Sequence, residues 1–96
     1  MDNVLGDVIT ITLPERFHGE QAANIGWKLE ESIGRNCQVV MDFSNVKYID
    51  SSGLTVLLSV NKSVKSNEGK LILRDMNEEV RTFFAMTRLN QVFAIE

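Results

Sequence analysis

The chain has 96 residues, 44% of them hydrophobic and 24% charged, with a formal net charge of −3. That length falls in the range of a single domain, about 50–250 residues, and is read as one domain over residues 1–96. The composition excludes wholesale disorder, and the acidic balance excludes a basic stripe for nucleic acid or an anionic membrane surface. Cys37 is the one cysteine, so no internal disulfide can form and a reducing, cytoplasmic setting is expected. Asp2 and Asp7 stand where a signal peptide carries basic residues, and no apolar run approaches the ~18 residues of a membrane span.

Val8–Leu13 is rich in β-branched residues and alternates at Ile9, Ile11 and Leu13, which predicts a strand ended by Pro14. Gly6-Asp7 is turn chemistry, so Val4-Leu5 is expected as a short hairpin arm. From Glu20 to Gly34 the period becomes helical, with Ala22, Ile25, Gly26, Leu29 and Ile33 on one face. Trp27 falls off that stripe. It reads either as a half-buried shoulder residue or as an exposed anchor for a partner. Val39–Phe43 reads as a buried strand, and Tyr48-Ile49 as a further extended piece.

Leu54–Ser66 is predicted as a helix with Leu54, Leu57, Leu58, Val60 and Val64 on its buried arc. Asn61 sits inside that arc and needs a hydrogen bond if buried. The opposite face is small and polar, with Thr55, Ser59 and Ser63, a smooth surface for another protein or a merely solvated one. Leu71–Leu73 is the next buried strand. Asn77 then caps a helix whose first turn holds Glu78 and Glu79 and whose buried stripe is Val80, Phe83, Phe84 and Thr87. Val92–Ile95 is a last extended segment. Strands alternating with helices in this way predict an α/β fold with a mainly parallel sheet and right-handed crossovers.

Chemistry concentrates in Tyr48-Ile49-Asp50-Ser51-Ser52-Gly53-Leu54, where an extended segment meets a helix start. Helix N-termini offer unpaired N–H groups and partial positive charge, and sites in open α/β sheets form at the strands' carboxyl ends. Asp50 or Ser51 suits a cap, and Gly53 allows close backbone approach. A hydrolytic triad is disfavoured. Asp50 adjoins Ser51 instead of orienting His18 from its far side, no nucleophile elbow is present, and His18 is the one histidine. One Cys and one His give no metal-site spacing, and no Gly-rich phosphate loop implies a cofactor.

Val39-Val40-Met41-Asp42-Phe43 followed by Tyr48–Leu54 resembles the signature of the STAS domain, as found in bacterial anti-sigma factor antagonists. The resemblance continues through Gly69–Leu73 and Val80–Leu89 and covers roughly Val8 to Ile95. It implies a four- to five-stranded mixed, mainly parallel sheet with about three helices. It also implies a serine phosphorylation site at Ser51, with Asp50, Ser52 and Gly53 supporting it. The implied partners are an anti-sigma factor that is also a serine kinase of the histidine-kinase-like ATPase fold, and a metal-dependent serine phosphatase. On this reading the domain is a substrate and binding module, not an enzyme. Its unphosphorylated form binds the partner. The alternative is a non-switching subunit docked on a transporter ATPase or a larger signalling complex.

The loop after the first strand usually carries Gly-Glu-Leu-Asp in this family. Aligned without a gap, Glu15, Arg16, Phe17 and His18 stand there, so both charged positions differ. The expected partner surface comprises Arg16, Phe17, His18, Trp27, Thr55 and Ser59. The family often carries a further C-terminal helix. With this sequence ending at Glu96, a less covered sheet edge and a monomer or weak dimer are expected.

Overall fold

A computed structural model describes residues Gly6–Glu96. The predicted arm at Val4-Leu5 lies outside the described residues. In chain order the elements are β1 (Val8–Thr12), β2 (Arg16–Phe17), α1 (Gly19–Ser32), β3 (Gln38–Asp42), β4 (Tyr48–Ile49), α2 (Ser51–Ser66), β5 (Lys70–Arg74), α3 (Glu78–Met86), a short 3-10 turn (Leu89–Gln91) and β6 (Ala94–Ile95).

The main sheet is four-stranded in the order β1-β3-β5-β6, and every pairing in it is parallel. This is the mainly parallel α/β sheet expected from the alternating pattern. Each crossover steps one strand in the same direction. Right-handed connections therefore place the three helices on one face. Register explains the core. Ile9, Val39 and Leu71 align across the sheet, as do Ile11, Met41, Leu73 and Ile95. Those two rows meet Ala22 and Leu29 of α1, Leu57, Val60 and Val64 of α2, and Val80 and Phe84 of α3 in one cluster. Val40 and Ile72, half a pleat away, point to the other face.

Helices α1 and α2 pack closely because Gly26 carries no side chain. A Cβ there would come within 2.5 Å of Val56 Cγ1. Phe84 anchors the third helix, edge-on to Phe43, Phe83 and Phe93 at centroid distances of 6.2, 6.0 and 6.0 Å. Asn77 caps α3 as predicted, its Oδ1 accepting from Val80 N at 2.8 Å. Its amide also donates to the Val46 carbonyl at 2.9 Å, which ties α3 to the loop before β4.

Four sequence expectations need correction. Leu58 is 45% exposed, because the buried stripe of α2 runs through Gly53, Leu57, Val60, Asn61 and Val64 and leaves Leu58 on its flank. Thr87 is exposed at the end of α3, where its hydroxyl folds back on the Phe83 carbonyl. The last extended segment is shorter than Val92–Ile95, since a 3-10 turn occupies Leu89–Gln91 and only Ala94 and Ile95 pair with β5. The segment after Pro14 is not all loop, because Arg16 and Phe17 form β2.

These positions predict a contrast. Phe84→Ala should cost about 3–5 kcal/mol, and Leu58→Gln should stay within about 0.5 kcal/mol. Urea denaturation with an unchanged m-value checks both.

Candidate functional site

Two short strands build the site. β2 pairs in parallel with β4, matching Arg16 with Tyr48 and Phe17 with Ile49. Glu15's carbonyl accepts from the N–H groups of Lys47 and Tyr48 at 2.8 and 3.1 Å. This clip carries the 15–18 segment to the N-terminus of α2. Pairing this short and non-local leaves no periodicity in the sequence, which is why β2 was not legible there.

Asp50 is the N-cap of α2. Its Oδ1 accepts from Ser52 N at 3.0 Å, Gly53 N at 3.3 Å and the Ser52 hydroxyl at 2.5 Å. Its Oδ2 accepts from the Tyr48 hydroxyl at 3.5 Å and lies 3.8 Å from His18 Nδ1. The Ser52 hydroxyl bond comes first among the causes that hold the Asp50 carboxyl below its ordinary pKa, followed by the two backbone donors and the His18 charge, with partial desolvation opposing them.

The two serines differ sharply. Ser52 is saturated: its hydroxyl donates to Asp50 and accepts from Gly19 N at 2.7 Å. It therefore locks the start of α1 to the start of α2. Ser51 is exposed, and its hydroxyl makes no hydrogen bond with a described residue. Only its carbonyl is engaged, accepting from the Thr55 hydroxyl at 2.9 Å. Gly53 is buried against β2. A Cβ there would collide with the Phe17 carbonyl oxygen and crowd the Phe17 ring at 3.0 Å. So glycine is required where α2 crosses β2.

The predicted partner surface is only partly brought together. Arg16 lies over the Tyr48 ring at 5.1 Å, and His18, beside Asp50, meets the same ring edge-on at 5.3 Å. Thr55 is exposed one turn on from Ser51. Ser59 is exposed but tethered, donating to Glu30 Oε2 at 3.1 Å, while Ser63 donates to Glu30 Oε1 at 2.6 Å. Trp27 is 76% exposed on α1, above a surface depression it shares with Glu30, Glu31 and Ser59. This is the exposed one of its two sequence readings. Phe17 is a correction: it is fully buried and belongs to the core, so its side chain reaches no partner surface. Tyr48 was missed as a site residue. Its flank position, two residues before Asp50 in a segment read only as extended, gave no sign that its ring gathers Arg16 and His18.

The cap has a pH signature. A carboxylate whose pKa is lowered on folding stabilises the fold above its unfolded pKa, and loses that contribution as the pH falls through the folded value. Asp50→Ala should therefore melt below wild type at neutral pH, and the gap should close as the pH drops below the usual carboxylate range. Melting curves across that range check it. A gap that is constant with pH would assign the loss to packing alone.

The STAS domain family model matches residues 2–96. A protein of Thermotoga maritima named as a candidate anti-sigma factor antagonist is 26% identical over 92 residues, covering 93% of this chain and 81% of that one. The anti-sigma F factor antagonist of Paenibacillus polymyxa is 26% identical over 90 residues, covering 92% of this chain and 77% of that one. A Bordetella bronchiseptica protein, also named as a candidate anti-sigma factor antagonist, is 33% identical over 58 residues, 60% of this chain, and the match spans half of that relative's length. The crystal structure of a candidate anti-sigma factor antagonist from Thermotoga maritima superposes with a TM-score of 0.83 at 25% identity, covering 97% of this chain and 81% of that one. A STAS domain protein from Planctomyces limnophilus shares the fold with a TM-score of 0.78 at 17% identity, covering 90% of this chain and 79% of that one. With the whole described fold inside the matched range, the chain belongs to the STAS domain family, as an anti-sigma factor antagonist-like member.

Proposed function

We propose that the chain acts as one domain in a partner-switching circuit, with Ser51 as its phosphorylation site. The observation that carries this reading is the contrast between the two serines: Ser51 is exposed with a hydroxyl unengaged among the described residues, and Ser52 is bonded on both sides. Only the former presents a hydroxyl to a kinase without first breaking the junction of α1 and α2. The names of the relatives support an anti-sigma factor as the partner. The partner in this reading is a serine kinase of the histidine-kinase-like ATPase fold in the cytoplasm, with a metal-dependent serine phosphatase to reset the switch.

The physics is local. A phosphate adds about −1.5 to −2 charge at pH 7. At the first turn of α2 the positive end of the helix dipole favours it, so the sheet need not rearrange. A docking protein, however, has to desolvate a dianion beside Asp50 and face its repulsion. Arg16, over the Tyr48 ring, gives this surface a positive charge, and His18 adds an imidazole 3.8 Å from the Asp50 carboxylate. That mixed charge suits a partner presenting acidic side chains toward β2. Asp50 faces His18, but it also takes the Ser52 hydroxyl itself, whereas in a triad the serine hydroxyl is bonded to the histidine. The reading is therefore of a substrate and binding module, not a catalyst.

Incubation with an extract of the source cells and ATP, followed by intact mass and site mapping, should place a single phosphate on Ser51. Ser51→Ala should abolish it and Ser52→Ala should not. Ser51→Ala should bind the partner constitutively, and Ser51→Glu should weaken binding about tenfold or more, though less than phosphate does. Equal affinity for wild type, the phosphorylated protein and Ser51→Glu would overturn the mechanism. Absence of phosphate with stable co-purification of an ATPase would assign the non-switching docking role instead.

A further inference from the structure

A second polar feature lies at the other end of α2, roughly 15–21 Å along the helix from Ser51 at 1.5 Å per residue. A cleft of about 270 Å³ opens between the C-terminal half of α2, the start of β5 and the turn leading into β6. Its lining includes Asn61, Lys65, Lys70, Leu71, Gln91 and Phe93. Asn61 is only 9% exposed, on the buried stripe of α2, and its side chain makes no hydrogen bond with a described residue. A buried amide left in that state is a net loss to the fold, whereas an apolar residue of the same shape would cost nothing.

The charge around the cleft is one-sided. Lys65 and Lys70 both line it, and no carboxylate among the described residues does. Neither lysine makes an ion pair with a described residue, and the nearby Glu68 is held by Arg35 at 2.5 Å. Leu71 and Phe93 supply apolar wall, each 5% or less exposed. A buried neutral donor and acceptor, two lysines with no ion pair among the described residues and a little apolar wall make the lining of a small-anion site. The volume lies just under the ~300 Å³ at which drug-sized pockets begin, which limits the ligand to a small metabolite.

We infer that this cleft binds a small organic anion, its phosphate or carboxylate held by Lys65 and Lys70 and its hydroxyl or amide bonded to Asn61. The site does not depend on the role of Ser51.

The test is a 1H–15N titration at constant ionic strength with three probes. Glycerol 3-phosphate offers both groups, inorganic phosphate offers the anion alone, and glycerate offers a carboxylate in place of the phosphate. The expected result is saturable shifts of the Asn61 side-chain amide and the backbone of Lys65, Lys70 and Gln91, with Kd about 1 mM or below for glycerol 3-phosphate or glycerate. Inorganic phosphate should bind more weakly. Lys65→Gln with Lys70→Gln should weaken binding about tenfold or more. Asn61→Leu should remove the preference for the organic anions while melting at or above wild type, which also shows that the variant folds. A lack of saturable shifts with every probe, or shifts that persist in both variants, would mean a water-filled cleft and overturn the inference.

Discussion

The Asp50 carboxylate organises the working end of this molecule. One oxygen takes the first free N–H groups of α2 and the Ser52 hydroxyl, and the other faces Tyr48 and His18. Without it, the helix start, the junction with α1 and the position of the β2 segment would lose their common anchor. Because Ser52 also accepts from Gly19, the same carboxylate fixes where α1 begins. One ionised group thus sets both helix starts and decides which of two adjacent serines faces solvent. A hydrogen-bonded carboxylate of lowered pKa holds this arrangement throughout the neutral range.

The sheet places that anchor. Parallel strands joined by helices gather the carboxyl ends of β3 and β5 and the start of α2 at one end of the molecule, where open α/β folds carry their sites. The β2–β4 clip then adds Arg16 and His18 to that end. The opposite end gathers the C-terminal half of α2, the start of β5 and the turn before β6, with Lys65, Lys70 and a buried amide. Helix α2 runs between the two ends, and its buried stripe of Leu57, Val60 and Val64 makes it a stiff connector.

What could be read in the sequence follows from how local each cause is. Asp50 as a cap, Asn77 as a cap and the buried strands at Val39–Phe43 and Leu71–Leu73 depend on near neighbours, and the structure has them there. Phe17 was misread because its neighbours Glu15, Arg16 and His18 are polar. Its burial comes from β4 and Gly53, which are more than 30 residues away. Leu58 looked buried because it shares an arc with Leu54 and Leu57, yet the stripe that faces inward runs through Leu57, Val60 and Val64. Trp27 left two readings open because periodicity says which face a residue lies on, not whether a neighbour covers it. Asn61 was legible as an anomaly, and its setting among Lys65, Lys70 and Gln91 required the fold.

A total charge of −3 says little about this protein, whereas the distribution around Asp50 says much. The central claim is that the carboxylate sorts two neighbouring serines, holding Ser52 inward and leaving Ser51 free. Side-chain χ1 couplings measured by NMR on the unmodified protein test that claim without any partner. The account predicts a single rotamer for Ser52 and averaging over several for Ser51. A fixed Ser51 beside an averaged Ser52 would contradict it.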